Sequence, residues 1–257
     1  MKRTMGIVGF GRFGRLAATH LKDHFDLVVH DRKDCREAAA RLDVPTGSLR
    51  DVASRSIVVL SVPISQMKST LREIAPHLSQ GALVVDTCSV KEYPVSLMKS
   101  ILPSTVELLG THPLFGPDSA ADGLNGKKIV LCPVRMNNFR QAVVFLRRLR
   151  LHVMVCLPEE HDREMACTQA IVQFLGRAFL EMGLTNKAMA TPGYDRLIRI
   201  LEVVQHDTWE LFRDLQNFNQ HAITMRQELI ETLTLIDRRI NGISPHRNTA
   251  RIGGKDV

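Results

Sequence analysis

The sequence predicts an α/β fold in which a doubly wound parallel sheet fills the first 157 residues and an all-helical unit follows. Three observations predict it. Short apolar runs alternate with helix-length amphipathic segments as far as residue 156. A glycine triplet, Gly9, Gly11 and Gly14, stands between the first apolar run and the first helical segment. Beyond residue 157 only helical periodicity remains.

The elements follow in order. Strands are expected at 4–8, 25–30, 56–62, 82–86, 106–110, 127–132 and 152–156, several of them near-continuously apolar, as strands covered on both faces are. Helices are expected at 16–21, at 65–78 before Gly81, and at 137–149. Pro158 suits a first helical position, with Glu159 and Glu160 in the first turn and Gly183 as the stop. Asp207-x-x-Glu210 reads as a capping box. The last helix, 221–240, carries Ile223, Leu229, Ile230, Leu233, Ile236 and Ile240 on more than one face, so a homodimer through the C-terminal helices is expected. The domains are then 1–157, 158–241 and a polar, flexible tail at 242–257.

The chain's 257 residues suffice for one or two domains. A hydrophobic share of 44% with 24% charged residues is that of a soluble globular protein. The net charge of +7 suits an anionic cofactor and substrate, and no basic run with interleaved aromatics points to nucleic acid. Cys35, Cys88, Cys132, Cys156 and Cys167 are dispersed, which implies neither disulfides nor a metal site. No apolar stretch approaches the ~20 residues of a membrane span. With a strand expected almost at once and no leader pattern before it, a cytoplasmic protein is expected.

Gly9-Phe10-Gly11-Arg12-Phe13-Gly14 is G-x-G-x-x-G between strand and helix. The first glycine permits a tight turn, the second lets a pyrophosphate approach the backbone, and the third lets helix and strand pack closely. The helix N-terminus adds free N–H groups. This is the Rossmann-type dinucleotide fingerprint. Asp31, ending the second strand, suits a ribose 2′-hydroxyl and hence NAD, whereas Arg32 beside it suits the 2′-phosphate of NADP. NAD or NADP is therefore the expected cofactor, with Asp31 tilting the choice to NAD. Val62 and Pro63, where the third strand ends, complete the expected cofactor contacts.

Ser89 and His112 follow the fourth and fifth strands, on the carboxyl edge where a nicotinamide would lie. A hydroxyl and an imidazole there could engage a substrate hydroxyl, with His112 accepting its proton. Singly, Ser89 reads equally well as a turn cap and His112 as a loop histidine; together, beyond a dinucleotide fingerprint, they point to catalysis.

The segments S-V-K-E-Y-P (89–94), T-H-P-L-F-G-P-D (111–118), G-L-N-G (123–126), E-E-H-D (159–162), Gln169 with L-G-R (175–177), T-P-G-Y (191–194) and D-T-W-E-L-F (207–212) give the chain its resemblance. It resembles the prephenate/arogenate dehydrogenases of tyrosine biosynthesis, and is most similar to the plant-type arogenate branch. The resemblance implies oxidative decarboxylation of arogenate, or of prephenate, to tyrosine or 4-hydroxyphenylpyruvate and CO2. It implies that His112 is the base, that Ser89 binds the substrate hydroxyl and orients His112, and that His161 lies near substrate, with Gln169 able to reach the same cleft. Arg199 matches the family's substrate-binding arginine, Arg196 shares its helix face, and Asp118 is a candidate partner for the ammonium of arogenate. Plant-type relatives tend to carry a small hydroxyl residue where this chain has Asp31. The rival readings are a β-hydroxyacid-dehydrogenase-type reductase and a non-catalytic dinucleotide-sensing dimer.

Overall fold

Seven strands, numbered in chain order, form one sheet in the order β2 (Asp26–His30), β1 (Thr4–Val8), β3 (Ile57–Leu60), β4 (Leu83–Asp86), β5 (Glu107–Pro113), β6 (Lys128–Arg135), β7 (His152–Val155). The structure is a computed structural model that describes residues 2–242; of the tail expected at 242–257, everything after Gly242 lies outside the described residues. Strands β1 (Thr4–Val8), β2 (Asp26–His30), β3 (Ile57–Leu60), β4 (Leu83–Asp86) and β5 (Glu107–Pro113) run parallel. Their side chains alternate between two cores. Met5, Ile7, Ile57, Val59, Leu83 and Leu109 face one, and Val8, Val58, Leu60, Val84 and Leu108 face the other. That two-sided burial is why these strands read as continuous apolar runs.

The second core is closed by α3 (Leu49–Ala53), α4 (Met67–Ile74) and α5 (Glu92–Ile101), through Val52, Met67, Leu71, Ile74 and Met98. Helix α3 starts on a reciprocal cap between Ser48 and Asp51, and a short α2 (Arg36–Arg41) precedes it. The first core lies under α1 (Arg12–Leu21) and α6 (Phe139–Arg148), and the segment after α1 packs on α6 where Phe25 and Phe145 meet edge to face, ring centroids 5.2 Å apart.

The sheet is not wholly parallel. β6 (Lys128–Arg135) pairs antiparallel with β5, and β7 (His152–Val155) runs parallel to β6. The cause is the β5–β6 connection, which is built of turns and contains no helix that could carry the chain back across the sheet. The chain therefore doubles back on itself. A second consequence is that β5 runs on to Pro113, with His112 opposite Val130, so His112 lies on a strand where a loop was expected.

After β7 the described chain is helical: α7 (Pro158–Met165), α8 (Ile171–Glu181), α9 (Pro192–Val204), α10 (Trp209–Phe218) and α11 (Gln220–Ile240). The single helix expected from 158 to Gly183 is interrupted by a π-helical turn at Ala166–Ala170. Ala166, Ala170, Leu215 and Ala222 join the second core, so the helical unit packs as a continuation of that face. Helix α10 is capped by Thr208, whose hydroxyl accepts from Leu211 N–H, and not by Asp207; the Asp207 carboxylate instead accepts from Gln173 Nε2 at 2.7 Å. The expected Asp207–Glu210 box is one residue out of register.

Candidate active site

The glycine loop has the shape that its sequence predicts. Gly9 sits at φ +95°, and a Cβ there would come within 2.1 Å of the Ser61 carbonyl. A Cβ on Gly14 would meet the Gly9 carbonyl at 2.1 Å. A Cβ on Gly11, by contrast, would meet nothing within 4 Å. Two of the glycines are therefore demanded by the protein's own packing, and the third faces open space at the start of α1. That helix has neither a side-chain cap nor an acidic residue in its first turn, so its amides are left for an anion. The residues present fit a dinucleotide pyrophosphate.

Asp31 closes this loop. Its carboxylate accepts from Phe10 N–H at 2.6 Å and from Lys33 N–H at 2.9 Å. Phe10 is buried beneath it, and Arg15 Nε donates to the Phe10 carbonyl. Arg32 points away to α4, where it pairs with Glu73 at 2.8 Å. Val62 and Pro63 leave β3 beside the loop, and the Val62 side chain lies 3.1 Å from where a Cβ on Gly9 would be.

The second half of the site is a chain of buried side chains. His112, at the end of β5, is 4% exposed, and its Nδ1 lies 2.8 Å from His161 Nε2 on α7. His161 Nδ1 lies 2.7 Å from Asp162 Oδ1. Among the described residues His112 Nε2 has no hydrogen-bond partner, so this nitrogen is left for a ligand. The His112 imidazole is held well below its usual pKa, first by burial and then by its neighbours His161 and Lys91. A neutral imidazole with an unpartnered nitrogen at the carboxyl edge of the sheet results.

Behind His112, Lys91 is completely buried. Its ammonium meets Asp86 at the end of β4 and donates to the Thr111 carbonyl at 2.6 Å. Thr111 returns a hydrogen bond from its hydroxyl to the Asp86 carbonyl. These three residues tie β4, the following loop and β5 together next to His112. Burial pushes the Asp86 carboxyl up, and the Lys91 ammonium opposes that.

Ser89 lies in the same loop with its Oγ buried and without a partner. The expected contact that would orient His112 is not made: His112 is hydrogen-bonded to His161, and the Ser89 hydroxyl has no partner. Gln169, within the π turn, likewise has a buried, unpartnered Oε1. Asp118 forms a salt bridge to Arg12 at 2.6 Å, with both groups about half exposed, and that contact holds its carboxyl low. Arg196 and Arg199 are exposed on α9 and make no ion pair among the described residues, so this chain alone does not bring either into the cluster.

Sequence reasoning passed over three members of the site, Asp86, Lys91 and Asp162. Two of them stood inside quoted motifs, Lys91 in S-V-K-E-Y-P and Asp162 in E-E-H-D, which was the only signal available.

Residues 17–155 match the family model described as the prephenate dehydrogenase nucleotide-binding domain, more than half of the chain. The chain belongs to the prephenate/arogenate dehydrogenase family. Residues 178–248 match the model described as the TYRAAT1-like C-terminal domain. Arogenate dehydrogenase 2, chloroplastic, of Arabidopsis thaliana is 29% identical, with 93% of this chain and 70% of that protein covered. Arogenate dehydrogenase 1 of the same plant is 32% identical, with 85% of this chain but only 36% of that protein covered. A crystal structure of prephenate dehydrogenase from A. aeolicus, in complex with hydroxyphenyl propionate and NAD+, superposes with a TM-score of 0.74 at 21% identity. It covers 93% of this chain and 91% of that one, and establishes the shared fold.

Proposed function

We propose that this chain catalyses the oxidative decarboxylation of arogenate to tyrosine and CO2, with a nicotinamide dinucleotide on its glycine loop. The observation that carries the reading is the open Nε2 of a buried, neutral His112 on the same sheet edge as the fingerprint. When bound, the nicotinamide accepts a hydride from the carbon bearing the ring hydroxyl. His112 Nε2 takes the hydroxyl proton, and the Ser89 Oγ hydrogen-bonds the same oxygen. With hydride and proton gone, the ring carries a dienone whose carboxylate leaves as CO2 when the ring becomes aromatic. The protein need only position the substrate and hold one proton.

Arogenate is favoured over prephenate by the names of the two plant relatives and by Asp118. The Arg12–Asp118 salt bridge is half exposed and so weakly held, which allows the carboxylate to exchange its partner for a substrate ammonium. Arg199 or Arg196 would bind a carboxylate from across a subunit boundary, since both are exposed here. A homodimer is supported by α11, where Ile223, Ile230, Leu233, Ile236 and Ile240 are all exposed. NAD is favoured by Asp31, whose carboxylate stands at the fingerprint while Arg32 is engaged with Glu73.

Replacing His112 with Asn tests the base. We expect turnover to fall by roughly 10²–10⁴-fold with dinucleotide affinity kept, measured by steady-state kinetics and by cofactor titration. Wild-type-like turnover in this variant would refute the assignment. Assays of wild type with arogenate and prephenate, each with NAD and NADP, decide the substrate and the cofactor.

A further inference from the structure

Asp162 is fully buried, and its two oxygens accept three hydrogen bonds. Oδ1 accepts from Lys91 N–H at 2.6 Å and from His161 Nδ1, and Oδ2 accepts from Glu92 N–H at 2.9 Å. The two amides open helix α5, so one carboxylate caps a helix of the sheet unit while it holds a histidine of the helical unit. The backbone carbonyl of Asp162 is itself held by Asn219 Nδ2 at 2.7 Å, at the cap of α11.

We propose that Asp162 is a positioning residue which, acting through His161, fixes His112 as its Nδ1–H tautomer and keeps Nε2 as the lone-pair nitrogen facing the substrate hydroxyl. The inference rests on the assignment of His112 as base. With both oxygens already accepting from amides, Asp162 offers His161 only an acceptor, so His161 Nδ1 must donate. A neutral imidazole carries one N–H, hence His161 Nε2 bears a lone pair. The 2.8 Å contact to His112 then requires His112 Nδ1 to donate. His112 Nε2 is left as the acceptor. Each tautomer in the row is dictated by the one before it, and the first is dictated by the carboxylate. The same logic operates in the serine-protease triad, where replacing the aspartate with asparagine leaves the geometry but costs about 10⁴-fold through the wrong tautomer.

The alternative is that Asp162 only pins the start of α5 to the helical unit. Asp162→Ala and His161→Gln separate the two. Alanine offers His161 Nδ1 no acceptor, so His161 loses its fixed tautomer. Glutamine at 161 can accept from His112 Nδ1 through its own amide oxygen, with no need of Asp162. In folded, full-length protein, ¹⁵N NMR of the imidazoles should show a lone pair on His112 Nε2 in wild type and in His161→Gln, and a mixture of tautomers in Asp162→Ala. Turnover in Asp162→Ala should fall by at least about a hundredfold, with KM for the dinucleotide little changed. Added to His161→Gln, the same substitution should cost no more than about twofold further.

Costs that multiply in the double variant would overturn the proposal, because Asp162 would then act independently of His161. An unchanged His112 tautomer in Asp162→Ala would also overturn it. A shifted tautomer with turnover intact would leave the relay standing and overturn His112 as base. Should Asp162→Ala fail to fold, His161→Leu replaces it: it removes the acceptor for His112 Nδ1, and a lone pair that stays wholly on Nε2 there would equally refute the relay.

Discussion

The two halves of the site are made of different material. The dinucleotide loop is built of backbone: glycines that tolerate no Cβ, amides at the start of α1, and one carboxylate, Asp31, that accepts from the Phe10 and Lys33 amides. All of it lies between Gly9 and Lys33, apart from the wall at Ser61 and Val62. The catalytic half is built of side chains drawn from β4, β5, the loop before α5, and α7, with His112 and His161 separated by 49 positions. The first half is rigid because its atoms cannot be elsewhere. The second is set by a sequence of donors and acceptors, any of which can be exchanged by one substitution.

The contrast can be broken most sharply at Gly9. In Gly9→Ala the new Cβ must displace the Ser61 carbonyl from 2.1 Å at a backbone conformation that disfavours side chains. We expect loss of dinucleotide binding and a clear fall in Tm, read by cofactor titration and thermal unfolding.

Next in size is Lys91→Met, which strikes behind the base. It leaves Asp86 buried without its counter-charge, so a stability loss of about 3–5 kcal/mol is expected by denaturant unfolding. It also tests the electrostatics. Burial, His161 and Lys91 all disfavour the His112 imidazolium, so the base stays neutral to lower pH than an ordinary histidine. The acid limb of kcat/KM should therefore lie below pH ~6.5 in wild type. Without Lys91 one of these opposing causes is gone, and the limb should move upward. A limb that stays put would show that the cation does not reach the base.

The smallest effect is expected at Asp31→Ser. The carboxylate that suits a 2′-hydroxyl and repels a 2′-phosphate is removed while Arg32 remains, so the ratio of kcat/KM for NAD over NADP should fall by about tenfold. An unchanged ratio would mean that Asp31 serves only to accept from the Phe10 and Lys33 amides. Stability should fall modestly because those two hydrogen bonds are lost.

The same contrast explains what could be read from the chain. The strands, the glycine loop and the change to helices after residue 157 follow from local rules: continuous apolar runs, turns that need glycine, first-turn prolines. Ser89, His112 and His161 were recognisable, yet their relations were not. Nothing local says that β6 runs against β5, because the direction is set by a connection too poor in helix to cross the sheet; with it came the placement of His112 on a strand. Asp162 and Lys91 read as ordinary charges until the fold buries them. The π turn at Ala166–Ala170 and the cap at Thr208 depend on packing between helices, and neither leaves a mark in the spacing of apolar residues.

Order of synthesis follows from the position of Asp162. The pyrophosphate loop and its carboxylate are complete once Asp31 and the Ser61 wall have been made. The base is armed only after residue 162 has been added, and that residue is steadied by Asn219, further on still. A chain emerging from the ribosome therefore completes the residues of its dinucleotide loop about a hundred positions before it completes those that position His112.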